Sequence, residues 1–303
     1  MNNNRNDVME RTKEENSTCL ACGGALQDWG GRLGYRYAEC LGCGSLQQHP
    51  MPSPQELERL YREEYVHAGG FHEDTADIHK PIYDFLLGLV RRYRRGGSNG
   101  LVVDYGCGWG GLCEALKNAD VPYVGVDLSV EEIKSCQERG LNCEVGDIDT
   151  LLKQGRVADM LFAVFVFEHL VDYPSFFKKV RQVLNKDGSL VIVIPTSPLV
   201  RLLGRLHRFV KPQEDVPQYG ETISPPWHTM IFSIKGVRRL AQSQGFEVVE
   251  VSPCPKYRGK TRLINFIKFW LGWAEMIGGR VFGDVWPVMT ANVFVLKPRD
   301  QEG

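Results

Sequence analysis

The stretch LVVDYGCGWGG at residues 101–111 constrains the fold more than any other part of the chain. A short apolar run ends in Asp104, and Gly106, Gly108, Gly110 and Gly111 then open an amphipathic segment through Leu112, Ala115 and Leu116. That is the pattern of a strand, a glycine loop and a helix. The next apolar run, Tyr123 to Val126, ends in Asp127, about twenty residues past the loop, where a carboxylate accepts both hydroxyls of a ribose. Two nucleotide chemistries share this layout. A dinucleotide site presses GxGxxG against a pyrophosphate, whereas here an acid precedes GxGxG. An acid in that position repels phosphate and suits a cationic ligand.

Further along come VGVDLS at 124–129, GDI at 146–148, an apolar run from Asp159 that closes on Phe167-Glu168-His169-Leu170, and LNKDGSL at 184–190. In this order the segments resemble the class I S-adenosylmethionine-dependent methyltransferases over about residues 99–252. The resemblance implies an α/β fold, a doubly wound Rossmann-like sheet of seven strands, with S-adenosyl-L-methionine as cofactor. It sets Gly106, Gly108 and Gly110, with Cys107 in the same loop, against the methionine and ribose portion. Asp104 would face the cationic end, Asp127 the ribose hydroxyls, Leu128 the adenine ring, and Asp147 with Ile148 the adenine amino edge. Tyr61 and Tyr65 sit on an amphipathic stretch before this unit, followed by Gly69 and Gly70. In similar enzymes this region covers the cofactor, so Tyr65 is expected to close over the methyl group, against the alternative of a core aromatic.

Methyl transfer is an in-line displacement on carbon, so the protein must align a nucleophile and, for a hydroxyl, take its proton. His169 is the expected base because it follows the fourth strand of the unit, whose carboxyl end faces the ligand crevice. Glu168 would orient it, and the competing reading is that both simply pin the following loop. His228, in Pro225-Pro226-Trp227-His228-Thr229, is expected at the same edge, on the acceptor or in packing.

Ahead of this unit stand Cys19-Leu-Ala-Cys22 and Cys40-Leu-Gly-Cys43, separated by seventeen residues and each followed by glycine. Two such pairs have the spacing of a four-thiolate zinc ribbon. Four thiolates fill the tetrahedron, so the expected Zn2+ is structural. Nine cysteines, an odd number, fit thiols kept reduced in a cytoplasmic protein. A CxxC…CxxC segment before such a domain looks like the branch with sugar and small-molecule methyltransferases. The polar stretch 1–16 is expected to be a disordered tail, 17–50 the ribbon, 51–98 a helical linker and lid, and 99–303 the methyltransferase domain.

Two inserts, at about 198–228 and 254–288, are expected to choose the substrate. The first carries Arg201, Arg205, Arg208 and Lys211 among leucines. The second carries LINFIKFWLGWAEMIGG, in which Asn265, Lys268, Gly272 and Glu275 form a polar stripe beside a wide apolar face. They could form a lid over a hydrophobic or lipid-linked acceptor with the arginines on a phosphate, lie at a membrane interface through residues 263–277, or pack on the fold or on a second copy. The expected function is methyl transfer to a small-molecule, sugar-like or lipid-linked acceptor, more readily at oxygen. The rivals are a zinc-ribbon RNA methyltransferase and a cofactor-binding scaffold without turnover. Thirty-six basic residues against thirty-seven acidic ones, a net charge of −1, and only Arg32 and Arg36 between the cysteine pairs argue against nucleic acid.

Overall fold

The computed structural model describes residues 18–60, 75–94, 100–211, 214–217, 222–257, 259 and 261–299. The tail at 1–16, together with Tyr61, Tyr65, Gly69 and Gly70, lies outside them. The chain opens with strands β1 (Leu26–Arg32), β2 (Tyr35–Cys40) and β3 (Leu46–Gln48), then helices α1 (Pro54–Leu60) and α2 (Thr75–Tyr93). There follow β4 (Val102–Tyr105), α3 (Gly111–Asn118), β5 (Tyr123–Asp127), α4 (Val130–Glu138), β6 (Cys143–Val145), α5 (Ile148–Lys153) and β7 (Ala158–Val164). A 3-10 turn at Phe167–His169 leads to α6 (Tyr173–Val183), β8 (Leu184–Pro195), α7 (Ser197–Val210), β9 (Met230–Ile231) and α8 (Ile234–Ser243). The chain closes with β10 (Phe246–Pro253), α9 (Arg262–Phe282) and β11 (Ala291–Pro298).

Seven strands form one sheet in the order β6-β5-β4-β7-β8-β11-β10. The five from β6 to β8 pair parallel, while β11 runs antiparallel between β8 and β10. The expected doubly wound architecture is present. The central strands read as unbroken apolar runs because both faces are covered. Val102, Met160, Phe162, Val191 and Val193 point to one face, under Ile82, Leu86 and Leu89 of α2 and Leu112 and Leu116 of α3. Their neighbours Val103, Leu161, Ala163, Ile192 and Ile194 point to the other, under α5, α6 and α8. The side chains alternate with period two, and the parallel pairing of β4, β5 and β7 brings their carboxyl ends to one edge, where the glycine loop, Asp127 and Glu168 all emerge.

The cysteine segment does not stand apart from this sheet. Its three strands form a second sheet, β1-β2-β3-β9, completed by Met230 and Ile231 from the far side of the sequence. Cys19, Cys40 and Cys43 belong to the same buried cluster as Phe232, Val237 and Leu240. Helix α7 is amphipathic as expected, but its arginines are engaged by the ribbon. Arg205 makes a two-pronged pair with Glu39 at 3.1 and 2.7 Å. Arg201 donates to the carbonyl of Gly44 and also pairs with Glu39, and Arg208 donates to the carbonyls of Asp28 and Trp29. The expectation that these arginines meet a phosphate thus has to reckon with buried Glu39 and the ribbon carbonyls, which already engage them. Among the described residues no helix is long and apolar enough to cross a membrane.

Candidate functional site

The glycine loop leaves β4 with Gly106, Gly108 and Gly110 at φ values of 71°, 50° and 75°, a region an L side chain rarely enters. At Gly106 a Cβ would also overlap the side chain of Val166, so the loop lies directly beneath the segment that follows β7. Asp127 fastens this loop. One carboxylate oxygen accepts from the amide of Gly108 at 2.9 Å and the other from the amide of Ser129 at 2.9 Å. Each oxygen keeps a lone pair for a ligand hydroxyl. Leu128, beside it, is 75% exposed, and Val145, at the end of the neighbouring strand β6 and in register with Asp127, is also exposed.

Three acids surround the loop. Asp104 is buried, and the loss of water, with Asp127 nearby, pushes its carboxyl up to about 7. Glu132, on α4, is pushed to about 7 by burial and then by Asp127 and Glu131, and its carboxylate lies 3.7 Å from where a Gly108 Cβ would be. Two carboxyls that resist ionisation beside a third form a cradle that a cation would relieve and a pyrophosphate would not. The sequence pattern marks Asp104 and Asp127 but misses Glu132, which reads there as one more solvated acid on a helix. Cys107 is buried in the loop beside Cys113 and Cys143. Asp147 caps α5, accepting from the amide of Thr150 at 3.2 Å while Thr150 answers at the Asp147 amide. The Ile148 side chain is buried in the core, so what it offers a base edge is its backbone amide in the first turn of α5.

The proposed chemical residues do converge. Ligand atoms of Glu168, His169 and His228 lie within 4.8 Å of one another, and the two imidazoles meet edge-on with ring centres 4.9 Å apart. Phe165, at φ 56°, forces the turn that brings this segment over the loop; a bulky residue in that conformation stores strain of the kind found at active sites. His228 holds its Nδ1 against the carbonyl of Thr222 at 2.9 Å. Burial and the neighbouring His228 push His169 down to about 3, so both rings are neutral near pH 7. Thr229, not the Glu168 carboxyl, pins the loop: its amide and hydroxyl both donate to the Glu168 carbonyl at 3.1 Å. Both carboxyl oxygens of Glu168 are buried without a hydrogen-bond partner among the described residues, and burial pushes this acid up to about 8.

The four thiols of the ribbon gather within 4.8 Å, with Cys19 and Cys43 sulfurs 3.8 Å apart and Cys22 and Cys40 sulfurs 3.5 Å apart. These are too long for a disulfide and suit the edges of a thiolate tetrahedron. The hydrogen bond between Cys19 and Cys43 holds the first thiol up and the second down. This is a donor set that could hold a metal ion.

Helix α9 and the loop before it border an open pocket of about 360 Å³ lined by Lys256, Tyr257, Asn265, Lys268, Phe269 and Trp273, among others. Tyr257 reaches His79 on α2, with ring centres 6.0 Å apart, and His79 reaches Tyr83 at 6.3 Å. The Tyr83 ring packs on Gly111, where a Cβ would overlap its hydroxyl. The second insert is thus connected, one aromatic at a time, to the glycine loop.

A family profile described as a methyltransferase domain matches residues 78–251, more than half of the chain. Over 98 residues the chain is 38% identical to the cyclopropane-fatty-acyl-phospholipid synthase of Escherichia coli (strain K12), covering 30% of this chain and 25% of that one. Over 109 residues it is 29% identical to a ubiquinone biosynthesis O-methyltransferase of Chelativorans sp. (strain BNC1), covering 34% and 43%. The chain therefore spans less than half the length of these relatives. The crystal structure of Burkholderia thailandensis 1,6-didemethyltoxoflavin-N1-methyltransferase, with 1,6-didemethyltoxoflavin and S-adenosylhomocysteine bound, aligns at a TM-score of 0.53 and 14% identity, covering 89% of this chain and 97% of that one. At that identity the likeness is one of fold.

Proposed function

Because the chain belongs to the methyltransferase-domain family, we propose that it transfers a methyl group from S-adenosylmethionine to a hydroxyl of a small or lipid-linked acceptor. The observation that carries this reading is the acid cradle: Asp104, Asp127 and Glu132 converge on a glycine loop, which favours a sulfonium and an ammonium and disfavours the pyrophosphate of a dinucleotide. S-adenosylmethionine bound there supplies a methyl on a positively charged sulfur. The chain's residues do the rest. Asp127 receives the ribose hydroxyls, Leu128 and Val145 flank the base, and Asp147 with the Ile148 amide meets its amino edge.

His169 and His228, both uncharged near pH 7, lie where an acceptor hydroxyl would lose its proton. Glu168 beside them offers a second place for that proton. Four thiols in tetrahedral proximity support a structural zinc in the ribbon, away from the reaction. The nearly neutral net charge and the use of α7's arginines inside the fold both weigh against an RNA substrate.

Titration calorimetry with S-adenosylmethionine, S-adenosylhomocysteine and NAD, alongside a metal assay, tests the reading. The first two should bind and NAD should not, with about one zinc per chain. His169→Ala should leave cofactor affinity unchanged and slow turnover by about 10²-fold or more. Binding without turnover on any acceptor class would favour the scaffold, and normal turnover of the variant would remove His169 from the reaction.

A further inference from the structure

Helix α9 is docked with its polarity reversed. Its polar stripe faces the protein. Asn265 exchanges two hydrogen bonds with the backbone of Gly259, accepting at 2.6 Å and donating at 3.2 Å. Lys268 donates to the carbonyl of Tyr257 at 3.1 Å and lies over its ring. Glu275 is fully buried and pairs with Lys256 at 2.6 Å while accepting from the amide of Thr290. The apolar side is left outside: Phe266 is 60% exposed, Ile267 and Trp270 57% each, and Val281 66%. In a helix of 21 residues, only Glu275 and Gly278 are buried. A surface helix in water normally turns the other way, apolar side in.

We propose that α9 is an interfacial helix that seats the protein on a lipid bilayer carrying anionic headgroups. The outward face has the composition of such helices, Phe, Trp, Ile and Leu with cations at its margins. Its length and hydropathy do not allow it to cross. Charge selects the partner. From 256 to 280 the sequence holds six cations against the single acid Glu275; that acid is buried and neutralised by Lys256, Lys268 turns inward to Tyr257, and Arg262 and Arg280 are exposed near the two ends of the helix. No acid on the helix therefore faces a negative surface. Aromatic rings of Phe266, Phe269, Trp270 and Trp273 pack against one another along it, which gives the face shape before any lipid arrives. This inference does not depend on the methyl-transfer reading, since it uses no residue of the glycine loop.

Flotation of the full chain with vesicles tests it, comparing phosphatidylcholine alone with the same lipid containing about 30% phosphatidylglycerol. The wild-type chain should float with the anionic vesicles, with affinity at least about tenfold higher than for neutral ones and reduced by salt. Ile267→Glu with Trp270→Glu, both at exposed positions, should lose about tenfold or more of this binding while thermal unfolding and cofactor affinity stay as in the wild type. The same samples go through light scattering. Absence of binding to either vesicle, or binding indifferent to the double substitution, overturns the proposal. So does a dimer in solution that the double substitution splits without any vesicle binding, since the face would then belong to a second copy.

Discussion

Asp104 shows how one side chain would make the proposed cofactor site sensitive to pH. Its carboxyl is held at about 7, chiefly because it is out of water. A cation in the cradle favours the ionised form, so below about pH 7 the ligand must expel a proton to bind. Apparent affinity for S-adenosylmethionine should fall by at least about tenfold per pH unit below that point and level off above it. Asp104→Asn should bind more weakly at pH 8 and show a shallower slope between pH 5.5 and 7, keeping only the part that Glu132, held at about 7 in the same cradle, contributes; the same titration in two buffers of different ionisation heat reads the protons directly. His169 acts on stability rather than on affinity, and its effect too is lost toward low pH. Its ring is pushed down to about 3 in the fold, so the stability it brings is present above pH 6.5 and is lost as pH falls toward 3. Asp104 and His169 are both visible in the sequence because each ends an apolar run at the edge where strands deliver their ligands. Glu132 and Phe165 are not. An acid on a helix and a phenylalanine after a strand carry no local mark of their positions, which the three-dimensional packing alone assigns.

Among the elements, α7 is the one whose neighbours the sequence hides. Its leucines and arginines mark an amphipathic helix, but nothing local says that Arg205 meets Glu39 across 166 residues, or that the gap in its apolar side is cut for an indole. At Gly204 a Cβ would overlap the buried ring of Trp29. Gly204→Ala, a favourable change in an isolated helix, should therefore destabilise this protein by about 1–3 kcal/mol. Chemical denaturation measures it, and a neutral or stabilising result would mean that the α7–β1 contact is looser than described. Helix α9 shows a different limit. The spacing of Asn265, Lys268, Gly272 and Glu275 defines two faces, but periodicity gives the axis of the asymmetry without its sign. Which face turns inward was settled by partners, above all by Lys256 and the backbone of Tyr257 and Gly259.

At the scale of the molecule, the ribbon and the acceptor side are one structure. Strand β3 pairs with β9 through Leu46 and Gln47, Ser45 and Ser233 bond across the same seam, and His228 lies two residues before β9. Cys40→Ser should therefore release the metal and lower turnover by about tenfold or more, while S-adenosylmethionine still binds at the distant glycine loop. Zinc content, activity and calorimetry on one preparation check this, and unchanged turnover in the zinc-free variant would show the two regions to be independent. The seven-stranded sheet could be expected from the order of its motifs, because each is a contiguous segment with its own periodicity. The ribbon's fourth strand could not, because two residues are too few to carry a period. That short strand also bears on how the protein is made. Leu46 finds Ile231 only after 185 further residues have been synthesised, so on a ribosome adding roughly 5–20 residues per second the ribbon waits roughly 10–40 s with its edge uncovered. During that interval the newborn segment is the part of the chain most in need of shelter.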